Sequence, residues 1–384
     1  MRVSMTLRRM LPKLIPFFLL CVIVGYGYYV RAIRPYPEVT DIVHHEDSFS
    51  ELNSYFKDIA VKKGALYAFE ILRRAPLPPQ TDIHLLGHTV GDELYKQYGK
   101  DAIQYCTDEF RNACSHTVVV GLLLDYGEKA LDDISESCKK APGGSGAYTM
   151  CFHGLGHGVL AYENYNLEKT IALCKKTGTR AAQFEEYPQC VGGAIMELIS
   201  GGGHSPEVWS TMRPQYLTTA DPLSPCDKPY MPKEVRAFCY IYVTPHLIEA
   251  AGGDKNHPDP AVFPKAFSLC RALPVGDQDR DVCIGSFGKE FIWWARQSDA
   301  RDITTLTDEE LARMTSWCSR SGNAHDTTLC VESIQDSLYW GGENDPKISA
   351  HFCALLGVQD PVAERSCTSY VQVLTDRYTP HTSK

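Results

Sequence analysis

Fourteen of this chain's fifteen cysteines follow a fixed rhythm. They fall in seven consecutive pairs: Cys106/Cys114, Cys138/Cys151, Cys174/Cys190, Cys226/Cys239, Cys270/Cys283, Cys318/Cys330 and Cys353/Cys367. Within pairs the separations are 8, 13, 16, 13, 13, 12 and 14 residues, and the second cysteines recur at intervals of 37, 39, 49, 44, 47 and 37. Each second cysteine opens an apolar run (CSHTVVVGLLL, CFHGLGHGVLAY, CVGGAIMELI, CYIYVTPHLI, CIGSFGKEFIWW, CVESIQDSLYW, CTSYVQVL), and first cysteines close amphipathic runs such as LEKTIALC, FPKAFSLC and MTSWC. Self-similarity at this period, with two helical stretches per unit, predicts an all-α chain built as an α-solenoid of hairpins.

Joining neighbours uses all fourteen cysteines and closes short loops. The shifted register (Cys114 with Cys138, Cys151 with Cys174 and onward) strands Cys106 and Cys367 and spans more variable lengths, so the neighbour scheme is preferred, although spacing alone leaves connectivity open. Each bridge would contribute about 3 kcal/mol in the chain-entropy account. Neither a C-x-x-C nor a C-x-x-C-H spacing occurs, which disfavours a cysteine zinc ribbon and excludes covalent haem attachment.

A further unit precedes the first pair. HLLGHTVG at residues 84–91 aligns with HGLGHGVL at 153–160, and Asp82 then stands where the opening cysteine would be. The count becomes about eight hairpins. Pro245 inside one apolar run should end or kink its helix.

The remaining cysteine, Cys21, lies in an uncharged stretch, LIPFFLLCVIVGYGYYV at 14–30. Seventeen apolar residues span about 26 Å as a helix, the lower limit for crossing a bilayer. Tyr26, Tyr28 and Tyr29 cluster at its outer end, and bulky residues occupy the place where a signal-peptidase site would need small ones. An uncleaved anchor is expected: a cytoplasmic tail at 1–13, a single transmembrane helix at 14–30, and everything beyond in an oxidising, extracytoplasmic space. The absence of an Asn-x-Ser/Thr sequon points to a bacterial envelope. The rest divides into a stalk with leading helices at 31–80, histidine-bearing repeats at 81–200, a Gly- and Pro-rich hinge linker at 201–227 and C-terminal repeats at 228–384.

Net charge is −9, and the six basic residues of 1–34 face no acid there, so the remainder carries −15. Such a surface repels nucleic acid and anionic headgroups and attracts cations. A protein or polysaccharide is the kind of partner expected.

Chemistry concentrates on five histidines in the first three opening runs: His84, His88, His116, His153 and His157. Residues four apart share a helix face, so His84/His88 and His153/His157 project as pairs, and His116 and His153 both stand two residues after their cysteine. Stacked units would bring all five to one surface, with Gly87, Gly91, Gly154, Gly156 and Gly158 thinning the helices between them. Imidazole ligands of this kind suit Zn, Fe or Cu, with Glu197 as an additional ligand; Asp92, Glu93 and Glu163 are further acidic candidates. Placement near helix N-termini would also keep imidazole neutral. The alternative is that His and Gly simply suit the helix contacts. H-E-x-x-H, G-x-S-x-G and phosphate-loop patterns are absent. Two functions follow: an extracytoplasmic binding or scaffolding module with a metal site in its first repeats, or a metal-dependent enzyme, oxidoreductase or hydrolase, centred on those histidines. Phe291, Trp293, Trp294 and Trp340 could line a groove, though aromatics at helical spacing are more often core.

In its HxxGH and CxHGxGH motifs and its cysteine-paired hairpins the chain resembles a set of uncharacterised bacterial membrane-anchored envelope proteins, over about residues 80–370. Its architecture is similar to that of secreted tetratricopeptide-like proteins with one disulfide per hairpin, without their consensus residues. The resemblance implies the fold and the envelope location and carries no activity.

Overall fold

Helix starts are written locally in the chain. Asp82 accepts a bond from the Leu85 amide at 3.0 Å, Asn166 from Lys169, and Asp277 from Asp279, while Thr307 and Glu310 form a reciprocal capping box. The computed structural model describes residues 36–378 apart from 46–47, 79–80, 108, 179–185, 202–204, 297–302, 342–345 and 359. The expected tail and transmembrane helix at 1–30 lie outside the described residues. No helix among the described residues is long and apolar enough to cross a membrane.

The regular structure of the described residues is all helix, without a β-strand; an isolated bridge joins Thr218 and Asp221. Leading helices α1 (Phe49–Lys63) and α2 (Ala65–Arg74) are followed by α3 (Ile83–Tyr98), α4 (Glu109–Tyr126), α5 (Leu131–Cys138), α6 (Gly144–Tyr162), α7 (Leu167–Cys174), α8 (Glu186–Ser200) and α9 (Pro206–Tyr216). The C-terminal part holds α10 (Lys233–Tyr242), α11 (Thr244–Ala251), α12 (Phe263–Cys270), α13 (Gln278–Ala295), α14 (Asp308–Cys318), α15 (Ala324–Gly341), α16 (Lys347–Gly357) and α17 (Pro361–Tyr378).

All seven neighbour disulfides are present: Cys106–Cys114, Cys138–Cys151, Cys174–Cys190, Cys226–Cys239, Cys270–Cys283, Cys318–Cys330 and Cys353–Cys367. Four first cysteines (Cys138, Cys174, Cys270 and Cys318) are the last residue of a short return helix, as their amphipathic runs predict. Most second cysteines differ from expectation. Cys114 stands at the head of the regular part of α4, just after the left-handed residues 110–112, but the others sit a turn or more inside their helices: α6 starts at Gly144 and α8 at Glu186, ahead of Cys151 and Cys190. Apolar runs mark burial, and the polar first turn of a helix carries none of that signal.

Cys239 departs furthest from its expected place. It pairs with Cys226 as the spacing predicts, with the Cα atoms 5.5 Å apart, but it lies near the end of α10 rather than at the head of a helix. The run that it was expected to open, CYIYVTPHLI, is divided between the last turn of α10 and the start of α11. The break falls at Val243, two residues before Pro245, whose missing N–H and bulky ring forbid continuation. The residues ahead of Cys239, from Lys233, therefore form most of α10.

The long helices pack in chain order: α3 on α4, α4 on α6, α6 on α8, α8 on α10, α10 on α13, α13 on α15 and α15 on α17. The contact between successive members repeats. A Cβ added to Gly156 of α6 would lie 2.0 Å from the Cys190 carbonyl oxygen, and one added to Gly288 of α13 would lie 2.0 Å from that of Cys330. Both glycines stand five residues after their unit's cysteine, and both would meet the carbonyl of the next unit's cysteine. The row also curls back on itself, since α17 packs on α6 and the Arg111 guanidinium of α4 sits 4.9 Å from the centre of the Trp293 ring of α13.

The core runs along this row. Phe263, Phe267, Phe287 and Phe291 are fully buried against one another, and Phe263 and Phe291 also pack on Trp317. Phe291 is thus core, as is Trp294, whose Nε1 donates to the Lys255 carbonyl. Asp326 of α15, also fully buried, accepts from Arg280 of α13 at 3.0 Å, which compensates its desolvation. Segment 201–227 contains α9, docked on the C-terminal end of α8: Trp209 Nε1 donates to the Leu198 carbonyl, and Arg213 donates to the Ile199 carbonyl and to Glu249 of α11. Cations at a helix C-terminus are favoured by its dipole.

Burial raises the Glu249 carboxyl, but hydrogen bonds with His246 and Arg213 and the charges of Arg213 and Lys255 outweigh it and bring it from 4.5 down to about 2. A depressed carboxylate stabilises the fold fully above its unfolded value and loses that contribution as pH falls through the folded one. Stability followed by circular dichroism should therefore drop between pH 4.5 and about 2, and Glu249→Gln should flatten that part of the curve. Removing the Cys138–Cys151 bridge by a double serine substitution should cost about 3 kcal/mol in urea unfolding.

Candidate metal centre

The glycine-mediated approach of α3, α4, α6 and α8 brings all five histidines into one cluster. His84 and His88 come from α3, His116 from α4, and His153 and His157 from α6. One ligand atom from each of His84, His88 and His116 lies within 4.8 Å of the other two. The ring centres of His84 and His88 are 4.4 Å apart, and those of His153 and His157 are 5.2 Å apart. His116 lies between the pairs. Burial is graded, with His84 and His88 half-buried and His116, His153 and His157 buried.

Several rings are held from outside by partners that bear on their tautomers. His84 Nδ1 lies 2.6 Å from the Phe110 carbonyl oxygen, which can only accept, so Nδ1 carries the proton and Nε2 keeps its lone pair. His157 Nδ1 donates to Glu197 Oε2 of α8 at 3.1 Å, leaving its Nε2 lone pair facing His153 Nε2 at 3.4 Å. His153 Nδ1 meets the Tyr242 hydroxyl of α10 at 3.3 Å. Glu197 is held in turn by the Tyr165 hydroxyl at 2.9 Å. Imidazoles backed by a carboxylate, a carbonyl and a hydroxyl, with their other nitrogens turned inward, have the outer support found around metal ligands.

Two local distortions build these supports. Phe110, Arg111 and Asn112 take left-handed backbone angles (φ 54°, 56° and 61°) at the start of α4, which aims the Phe110 carbonyl at His84. Such conformations cost about 1–2 kcal/mol per residue and persist where the surroundings over-determine them; here the Phe110 ring stacks on Phe69 with centres 6.3 Å apart. Tyr165 (φ 60°), in the turn between α6 and α7, is fully buried and spends its hydroxyl on Glu197.

Electrostatics favour the neutral form of three of the rings, His84, His116 and His153. Burial lowers the His84 pKa to about 4, and the nearby Arg111 charge adds to this. Burial likewise holds His116 and His153 well below their ordinary range, with the neighbouring imidazoles contributing and Lys289 acting on His153. Helix N-termini are not the cause for the second pair, because α6 begins nine residues before His153. That expectation holds in position for His84, the second residue of α3, and for His116, in the first regular turn of α4 after the left-handed residues 110–112. Neutral imidazole is the metal-binding form.

Of the other acidic candidates, Glu93 pairs with Lys96 at 2.7 Å, Asp92 is exposed and Glu163 stands in the α6–α7 turn. Residue spacing gives no cue to Tyr242, Tyr165 or the Phe110 carbonyl. Tyr242 reaches the histidines but is a different residue type, three positions after its cysteine. Trp293 faces Arg111, and the Lys289 ammonium lies 5.0 Å from the centre of the Tyr242 ring, so both stand on the row that returns toward the cluster. Comparisons with family models, with curated proteins and with solved structures find no match to this chain.

The cluster depends on a missing side chain. A Cβ on Gly154 of α6 would lie 2.2 Å from His116 Cδ2 and 2.8 Å from its Cα. Gly154→Ala should force α4 and α6 apart, destabilise the fold by about 1–3 kcal/mol and abolish retention of any metal. Gly285→Ala, two residues after Cys283 as His153 is after Cys151, meets nothing nearer than the Leu329 carbonyl oxygen at 3.3 Å and should cost much less than Gly154→Ala. Chemical denaturation with metal analysis on both variants checks this.

Proposed function

We propose that this chain is a membrane-anchored, extracytoplasmic α-solenoid of about eight disulfide-closed hairpins that binds a transition metal, Zn, Fe or Cu, on its N-terminal-half histidines. The observation that carries the reading is the convergence of His84, His88 and His116, one ligand atom each within 4.8 Å, from two helices joined by no local sequence constraint. The lowered pKa values of His84 and His116 and the Phe110 support on His84 fit metal binding better than a structural contact, for which a single hydrogen-bonded imidazole would suffice. The acidic exterior favours capture of cations.

Three imidazoles with a further coordination position left for water are the donor set of catalytic rather than closed structural sites, and His84 and His88 are only half-buried. A metal held there would supply Lewis acidity and an activated water. The chain's own groups would divide the work: His84 and His88 hold the open side, His116 closes the floor, and Glu197 with Tyr242 orients the second histidine pair behind it. A metal-dependent enzyme, hydrolase or oxidoreductase, is therefore the favoured form of this function over a scaffold for a protein or polysaccharide.

The test is metal analysis of the full chain, purified from an oxidising compartment and exposed to a mild chelator. Retained stoichiometric transition metal, lost in His84→Ala/His88→Ala with unchanged circular dichroism, is the expected result. Metal-free protein that takes up none of the three metals on addition would return the chain to the scaffold reading.

A further inference from the structure

His116 differs from the other rings held in place. His84, His153 and His157 each turn Nδ1 to an outside partner and Nε2 toward the cluster. His116 is 2% exposed, and among the described residues neither its Nδ1 nor its Nε2 has a hydrogen-bond partner. Leaving a buried polar atom unsatisfied costs about 1–3 kcal/mol, and one metal would relieve only one of the two.

The ring spacings say what would relieve both. At metal–nitrogen distances near 2.0–2.1 Å, two imidazoles on one tetrahedral ion have their nitrogens about 3.3 Å apart and their ring centres about 5 Å apart. His153 Nε2 and His157 Nε2 stand 3.4 Å apart before any ion is considered. The His116 ring centre is 5.4 and 5.8 Å from those of His84 and His88, and 6.0 and 5.7 Å from those of His153 and His157. It is nearly equidistant from both pairs, and a Cβ added to Gly154 would lie 2.2 Å from its Cδ2 and 2.5 Å from its Cγ, so the α6 backbone passes close beside the ring.

We propose that His116 is a bridging ligand in a two-metal centre, one ion held with His84 and His88 and the other with His153 and His157. The bridge requires His116 to lose its remaining N–H proton to solvent as the second cation binds, so both nitrogens become donors to metal. Glu197 and Tyr242 then act as positioning residues for the inner ion. This rests on the metal-binding reading above and extends it from one ion to two.

Copper(II) is the probe, because two such ions joined through an imidazolate couple magnetically and lose their paramagnetic signal. The full chain, stripped and titrated with copper(II), should bind two ions and show loss of most of the spin-resonance intensity expected from its copper content. His116→Ala should restore full intensity per bound copper. His153→Gln/His157→Gln, which leaves the outer trio, should bind one copper at full intensity, provided that circular dichroism confirms folding. Wild-type protein that binds one copper, or two with undiminished signal, would overturn the bridge while leaving the single-metal reading intact. Protein that binds none would overturn both.

Discussion

The molecule depends on near-contact between the backbones of consecutive long helices. Where Gly156 meets the Cys190 carbonyl, and again where Gly288 meets that of Cys330, a methyl group would not fit. Dispersion is collected at short range, and helices that approach this closely gain it along their whole length. The same closeness fixes the direction of the side chains that flank each glycine. In α6 these flanking residues are Leu155 and His157, with His153 one turn before; in α13 they are Phe287 and Lys289. One packing device therefore serves an imidazole-bearing face in one half and an apolar core in the other.

Disulfides act on a different term. Each joins a return stretch to the next long helix and limits what the unfolded chain can explore, but none lies among the histidines. Rigidity around the cluster comes instead from backbone held in left-handed angles, from the Tyr165–Glu197–His157 chain of hydrogen bonds and from the Gly154 contact. These are costly local arrangements, tolerated because the bridged framework around them holds its shape.

How much of this is legible in the residues alone follows from what each feature requires. Cysteine spacing carries the pairing, because a bridge links short separations and leaves a periodic trace. The i, i+4 histidines carry their own face. Meeting of pairs from different helices depends on helix-to-helix distance, which the glycines hint at without giving a value. Helix starts lie a turn or more ahead of the cysteines that seem to mark them, since Gly144–Met150 contributes no apolar periodicity. Cys239 is the extreme case, because an apolar run gives no sign of the helix residues on its polar N-terminal side. Low imidazole pKa values trace to burial rather than to the helix dipole, and burial is a property of the packed array. Phe110 is invisible in the sequence, because its role is played by a carbonyl.

Asp82 stands where every later unit has a cysteine, so α3 is the one long helix of the row that no covalent bridge ties to the element before it. That helix carries His84 and His88. An ion shared between them and His116 would be the missing clasp, joining α3 to α4 across the row as sulfur joins the rest. The first unit would then be fastened by a bond that a chelator can open and a reductant cannot. Metal supply, rather than redox poise, would then add to the apolar packing of Leu86, Val90 and Leu94 that already seats the first unit.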